Sequence, residues 1–166
     1  MIGFTITRCR LGRLLLAGTE RGLCAVYLGD SDAQLEAELA KAFPATSVRR
    51  ENAGLSAWMK LLVDHLKGRQ PCLDLPLDIQ ATAFQWRVWQ ELRTIPYGST
   101  RCYRDIARAL GQPNAVRAVA RACAANPVSL VIPCHRVVRA DGSLGGYRWG
   151  LERKQALLAQ EKKTRP

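Results

Sequence analysis

The chemistry this sequence can support gathers around one cysteine. Among six cysteines and two histidines in 166 residues, only Cys134 and His135 are neighbours, in the run Asn126-Pro-Val-Ser-Leu-Val-Ile-Pro-Cys-His-Arg-Val-Val138. A free thiol titrates near 8.5, and a neighbouring cation or base lowers that value toward the thiolate, a soft nucleophile. A cysteine activated by a histidine is one recognised route to covalent catalysis. Residues 130–132 before the pair, and Val137-Val138 after it, read as buried strand, held by prolines at 127 and 133. Many cysteines in such settings are simply small buried hydrophobes. The adjacent imidazole and the two prolines favour a reactive thiol here.

A third group belongs to the same chemistry. A helix from 151 to about 162 places Leu151, Lys154, Leu157, Leu158 and Glu161 within about 120° of one another. Glu161 then faces inward, where a carboxylate needs a partner, and His135 is the natural one. The competing arrangement leaves Glu161 in water on a frayed helix end. Between these parts, Asp141-Gly142 is a strong turn, and Gly145-Gly146-Tyr147-Arg148-Trp149-Gly150 is a loop long enough to wall a pocket.

The elements that must position these groups can be read in order. Phe4-Thr-Ile-Thr alternates, and Leu14-Leu-Leu-Ala and Gly22-Leu-Cys-Ala-Val-Tyr-Leu28 are apolar runs separated by turn residues, which predicts a three-stranded antiparallel meander. Ser31 and Gln34 have capping-box spacing ahead of a helix bearing Leu35, Leu39, Ala42 and Phe43, stopped by Pro44. Residues 49–52 read as loop. A second helix carries Leu55, Trp58, Met59, Leu62 and Leu66, and its His65 reads as structural or solvated. Residues 71–80, with two prolines, form an extended connector. The fold class is therefore α/β (α+β), with an N-terminal domain over 1–75 and a second domain over 76–166.

In the second half, Thr82 and Gln85 repeat the capping spacing, and Phe84, Val88, Leu92 and Ile95 make a buried stripe with Trp86 and Trp89 beside it. A helix over 103–110 ends at Gly111. Gln112-Pro-Asn114 is a turn, with Asn114 as the cap of a helix over 115–124. Val116, Val119, Ala120 and Cys123 share one face of that helix, while Arg117 and Arg121 point away. This is a helix-turn-helix pattern, although helical hairpins with solvated arginines are common. Lys plus Arg is 25 against 14 Asp plus Glu, a net charge of +11. That excess suits a polyanionic partner, or else a merely basic surface. Without a Cys-x-x-Cys pair, zinc-finger spacing is absent and no metal is expected. No apolar run is long enough to span a membrane. The N-terminus lacks the pattern of a secretory signal, which predicts a reducing cytoplasm and free thiols.

Pro133-Cys134-His135-Arg136-Val137-Val138, with Asn126-Pro127 before it and Gly146-Tyr147-Arg148-Trp149-Gly150 after it, resembles the O6-alkylguanine-DNA alkyltransferase family. Phe84-Gln85, Val88-Trp89, Ile95-Pro96-Tyr97-Gly98, Tyr103 and Ala115-Val116-Arg117-Ala118-Val119 match in the same order, so the resemblance covers about 82 to 161. Thr19-Glu-Arg-Gly22 to Leu28-Gly29-Asp30 is similar to the alkyltransferase half of bacterial Ada-type proteins. Their cysteine-zinc domain has no counterpart here, so the expectation is a stand-alone repair protein or one domain of a larger regulator.

The resemblance implies a ribonuclease H-like N-terminal domain and a winged helix-turn-helix-like C-terminal domain. It implies direct-reversal DNA repair: irreversible, single-turnover transfer of a methyl or alkyl group from O6 of guanine, less well O4 of thymine, in duplex DNA to Cys134. His135 would be the base, acting through a water, with Glu161 orienting and charging it. Asn126 would tie the recognition-helix turn to the Cys134 segment. Tyr103 would assist nucleotide rotation and protonate the departing guanine. Tyr147, with the backbones of Cys134, Val137 and Arg148, would line the guanine pocket, and Lys154 would support the pocket loop. Arg117 would fill the base stack, on a helix whose Ala115, Val116 and Arg121 also meet DNA. The partner implied is double-stranded DNA, approached through the minor groove with the alkylguanine flipped. No cofactor, no metal and no membrane are implied; the protein would act as a monomer in the bacterial cytosol, associated with the nucleoid. Cys102 replaces a serine common in the family, predicting a weaker helix cap. Ser129 stands where some members have proline, predicting wider access to Cys134. Two other readings compete: a non-catalytic alkylation-damage binder, and a cysteine hydrolase using Cys134 and His135.

Overall fold

The three expected strands form: β1 (Ile2–Cys9), β2 (Gly12–Thr19) and β3 (Gly22–Gly29), each antiparallel to the next. In this computed structural model, which describes residues 1–164, the chain parts into two compact units, Met1–Ile79 and Gln80–Pro166. In the first unit α1 (Asp32–Ala42) starts at Ser31, whose side chain accepts from the Gln34 N–H. A fourth strand, β4 (Val48–Arg50), then pairs parallel to β1, giving the order β3-β2-β1-β4. The expected loop at 49–52 is thus partly an edge strand. Two consecutive arginines hide it, but Arg50 sits 5.4 Å over the Phe4 ring and bonds Glu36 at 2.8 Å. Charged edge positions of this kind also discourage further pairing.

Leu14, Leu15, Leu16 and Ala17 are all fully buried, so both faces of β2 are covered. α2 (Ser56–Leu66) packs against β1. Its His65 is buried and contacts the Gln70 carbonyl through Nδ1 at 2.6 Å, holding the turn that follows the helix. Residues 76–78 belong to this unit, beyond the boundary expected at 75. Leu23 N–H donates to the Pro76 carbonyl and Asp78 N–H to the Leu23 carbonyl, both at 2.8 Å. Gly22 permits the approach, since a Cβ there would lie 2.6 Å from the Pro76 oxygen.

The second unit is mainly helical. α3 (Ala83–Arg93) begins with both arms of the capping box between Thr82 and Gln85. Its buried stripe is Val88, Trp89 and Leu92; Phe84 is only half-buried. Trp89 belongs to that stripe rather than beside it, and its indole N–H reaches the Ala122 carbonyl at 2.8 Å. β5 (Arg101–Cys102) leads into α4 (Tyr103–Ala109), and a turn leads to α5 (Val116–Ala124). Asn114 does not cap α5; Ala115 occupies that position without a side-chain bond. Cys102 caps α4 without a side-chain bond to its backbone, and the Asp105 carboxylate answers instead, held below its usual range by bonds from the Cys102 thiol and N–H. β6 (Val137–Val138) pairs parallel to β5, and α6 (Leu151–Lys163) closes the unit. Among the described residues no helix is long and apolar enough to cross a membrane.

Candidate active site

The segment that delivers Cys134 is a set of turns rather than a strand. After α5 the chain turns at Leu130, which lies in the left-handed region at φ 74°, a conformation costing a non-glycine residue on the order of 1 kcal/mol. The Leu130 side chain is buried, which offsets that cost. Pro133 then adopts φ −81°, ψ 63°, and Cys134 N–H bonds the Ile132 carbonyl at 2.8 Å. This is an inverse γ-turn, made easy by the fixed proline φ. It feeds a single 3-10 turn, Cys134–Arg136, so that three successive side chains project from one tight bend. Apolar content suggested a strand; the proline geometry and the Leu130 turn override it.

Asn126 holds this bend from inside. Its Oδ1 accepts from Val128 N–H at 2.9 Å. Its Nδ2 donates to the Ile132 carbonyl at 2.8 Å and lies 3.3 Å from Cys134 Sγ. Burial pushes the Cys134 thiol above its ordinary value, although Asn126 and the Lys154 charge work the other way. Net lowering of this thiol, the expectation from an adjacent imidazole, is not what the site produces. The resting group is a neutral thiol that must lose its proton to react.

His135 is fully buried, and its Nε2 lies 2.5 Å from Glu161 Oε2. Glu161 is on the inward face of α6, 2% exposed, so the frayed-end alternative does not hold. Arg136 completes the cluster: Nε donates to Glu161 Oε1 at 2.7 Å and Nη2 to Oε2 at 3.3 Å. Gly98 N–H also reaches Oε1 at 3.3 Å. Burial pushes His135 below its ordinary value despite Glu161, which makes it a neutral imidazole. Glu161 is pulled to about 2: burial works to raise it, and His135 and Arg136 outweigh that. Its folded value is depressed, so the stability it contributes is present above its ordinary value of 4.5 and is lost as pH falls toward 2. That difference is worth about 3 kcal/mol. Urea unfolding of wild type and Glu161→Gln should therefore differ by roughly this amount above pH 5 and converge near pH 2; a gap that does not change with pH would refute the assignment.

Cys134 opens onto a cavity of about 280 Å³. Tyr103, Tyr147, Arg148 and Gly146 form part of its wall, and Ala120, Cys123 and Ala124 of α5 form the rest. Sequence reasoning missed this contribution of α5, whose signal was the spacing of small residues at 120, 123 and 124. Val137 is not on the wall. It is fully buried in β6, and its carbonyl accepts from Lys154 at 2.7 Å. Lys154, with no exposed surface, also donates to the Gly146 carbonyl at 3.0 Å and to the Leu144 carbonyl. One ammonium with three donors thus ties the start of the loop bearing the glycines to β6. A second latch is the Trp149 indole N–H donating to Ser129 Oγ at 2.6 Å. Gly145 lets the loop lie on Tyr103, because a Cβ there would be 3.0 Å from that ring.

Burial raises the Tyr103 phenol to about 12 and the Tyr147 phenol well above its ordinary value, so both are neutral donors. The Tyr147 hydroxyl and His135 Nδ1 are buried without hydrogen-bond partners among the described residues. Arg117 and Arg121 are exposed on α5, Val116 and Ala115 half-buried at its start. None of the four is on the wall of the cavity. Among the described residues no group of three or more metal-ligating side chains occurs.

A buried thiol, a neutral imidazole bound to a carboxylate and a loop tied beside a cavity thus come together in the helical unit that carries α4 and α5. Residues 2–79 match the family profile described as "6-O-methylguanine DNA methyltransferase, ribonuclease-like domain", and residues 83–163 the one described as "6-O-methylguanine DNA methyltransferase, DNA binding domain". The chain belongs to the 6-O-methylguanine DNA methyltransferase family. It is 51% identical over 160 residues to the Escherichia coli bifunctional transcriptional activator/DNA repair enzyme Ada, covering 96% of this chain and 45% of that protein. The chain thus spans about half the length of that relative. It is 38% identical to a Mycolicibacterium paratuberculosis methylated-DNA--protein-cysteine methyltransferase, over 100% of this chain and 96% of the other. The fold superimposes on the crystal structure of Mycobacterium tuberculosis OGT in complex with DNA, with a TM-score of 0.84, 36% identity, and coverage of 99% and 95%.

Proposed function

We propose that this chain repairs alkylated DNA by moving a methyl or larger alkyl group from O6 of guanine in a duplex to Cys134, once per molecule. The observation that carries this reading is Cys134 itself, held by Asn126 and next in the chain to the His135 that pairs with Glu161, on the wall of a cavity of about 280 Å³. The names of the relatives favour transfer over a non-catalytic binder. The reacting carbon of O6-alkylguanine lies inside a duplex, so the base must be extruded, at a cost of a few kcal/mol. Insertion of Arg117 from the minor groove would offset part of that. His135 Nδ1, through a water, would take the Cys134 proton. The thiolate would then attack the alkyl carbon, and the carbon–O6 bond would break toward guanine. Tyr103 would supply the proton to the departing base. The product is a thioether without a usable leaving group, so the protein is consumed. Tyr147, Arg148 and the backbone at Cys134 would hold the base, with Lys154 keeping their loop in place. These steps need neither metal nor cofactor.

Titration with a duplex carrying one O6-methylguanine should inactivate the protein at one-to-one stoichiometry, with one added methyl on the Cys134 peptide by mass spectrometry. No methyl, or repeated turnover with released product as in a hydrolase, would end the reading. Arg117→Ala should slow repair of the duplex roughly tenfold or more, since at least about 1.4 kcal/mol of unstacking goes uncompensated. Its reaction with free O6-benzylguanine should be unchanged; equal losses on both substrates would contradict a stack-filling role.

A further inference from the structure

Arg136 stands in the middle of the site with no role in the transfer steps above. It is 6% exposed, so its charge is buried, and an arginine keeps that charge at any relevant pH. It is anchored independently of the carboxylate it meets: Nη1 donates to the Ile95 carbonyl at 2.9 Å, and its guanidinium lies 5.5 Å over the Tyr97 ring. From that anchorage it places Nε and Nη2 on the two oxygens of Glu161, at 2.7 and 3.3 Å. Glu161 Oε2 is therefore shared between a permanent cation and His135 Nε2.

The charge count of this buried cluster decides what His135 can be. Acting on the imidazole are Glu161 and Lys154 from α6 and Arg136 from its own turn, with the neutral Cys134 thiol next to it in the chain; the neutral Tyr147 phenol acts on Glu161 from the pocket loop. One carboxylate is already matched by Arg136, and Lys154 is spent on three carbonyls. A proton on His135 would add a third positive charge against a single negative one. With Glu161 ionised and bound at Nε2, the imidazole proton belongs on Nε2, because a carboxylate only accepts. His135 Nδ1, buried and unpartnered among the described residues, is then a bare lone pair.

We infer that Arg136 is a positioning residue: as the fixed counter-ion of Glu161 it lets His135 remain neutral, with its proton on Nε2 and Nδ1 free to accept a proton. The inference rests on the reading of His135 as the base and gives it a definite tautomer. Without Arg136, Glu161 would have His135 as its one counter-ion and would draw a proton onto it. The imidazolium has no lone pair left for the thiol proton, and the site loses its base at neutral pH.

Nitrogen-15 NMR of the full chain tests this directly. Only two histidines are present, so His65→Asn completes the assignment. Wild type at pH 7 should show a pyrrole-type Nε2 and a pyridine-type Nδ1 for His135. Arg136→Met should show an imidazolium, with the single-turnover rate on methylated duplex at least tenfold lower at pH 7 and recovering as pH rises. Arg136→Lys, which restores the charge, should return the acid limb of the rate profile toward its wild-type position. A wild-type imidazolium, or a proton on Nδ1, would overturn the proposal; so would a folded Arg136→Met variant with an unshifted profile. If Arg136→Met fails to fold, the wild-type tautomer and the Arg136→Lys profile decide alone. The tautomer can be read whether or not any methyl is transferred, so its failure is separable from failure of the one-to-one titration.

Discussion

Cys134→Ala is expected to transfer no methyl group at all, while folding normally and binding methylated duplex within about 1 kcal/mol of wild type. The expectation follows from how little else the sulfur does. Among the described residues its side-chain hydrogen bond is with Asn126 Nδ2 at 3.3 Å, and Asn126 keeps the Ile132 carbonyl and the Val128 N–H when the sulfur is gone. The thiol borders an existing cavity, so its removal widens that space instead of opening a new void in the core, a change worth about 1 kcal/mol or less. Cys123 shares the cavity and is the sulfur to watch. Burial pushes its thiol up, and among the described residues neither a side-chain amide nor an imidazole bonds it. Peptide mapping of the variant after exposure to methylated duplex should find every thiol unmodified. A methyl on Cys123 would show that proximity to the cavity, rather than the Asn126 and His135 surroundings, selects the acceptor.

What the sequence disclosed follows the range of the interactions concerned. Periodicity placed Glu161 on the inward face of α6, because helical phase is local and persists over thirteen residues. Capping spacing placed the starts of α1 and α3, since side chain and backbone lie three residues apart. The meander was legible from turns and apolar runs, but β4 was not. Its three residues carry two arginines, and only pairing with β1, more than forty positions away, makes them a strand. Residues 130–132 were misread for the opposite reason: their composition is that of a strand, while Pro133 and the positive φ of Leu130 bend them. Arg136 was quoted within a motif yet given no task, because nothing in the sequence says that an arginine beside a histidine turns inward. Family resemblance named Lys154 as a support; its three acceptors belong to Val137, Leu144 and Gly146 and are set by the loop's path alone.

Lys154→Met should cost about 3 kcal/mol and lower Tm by roughly 6–12 °C. Methionine keeps most of the side-chain volume, so packing is nearly preserved. The loss is of three hydrogen bonds from a charged donor, each worth about 1.5–3 kcal/mol. Two things reduce that sum. Removing the ammonium ends its own desolvation cost, the same burial that lowers its pKa in the folded chain. The Leu144 and Gly146 carbonyls can also turn to water once the half-exposed loop moves, whereas the Val137 carbonyl, in buried β6, cannot. The functional effect should exceed the effect on stability. The Trp149–Ser129 bond remains, but the glycine end of the loop is released, and with it the placement of Tyr147 and Arg148 on the cavity wall. A displacement of about 1 Å in a reacting pair can slow a reaction 100-fold, so the single-turnover rate should fall by roughly that factor while duplex affinity, which the proposed function assigns to the exposed face of α5, stays within about threefold. Gly145→Ala offers an independent check, since a methyl at φ 72° both strains the loop and presses on Tyr103. If Lys154→Met instead weakens duplex binding as much as it slows transfer, the ammonium supports the recognition helix and not the pocket loop.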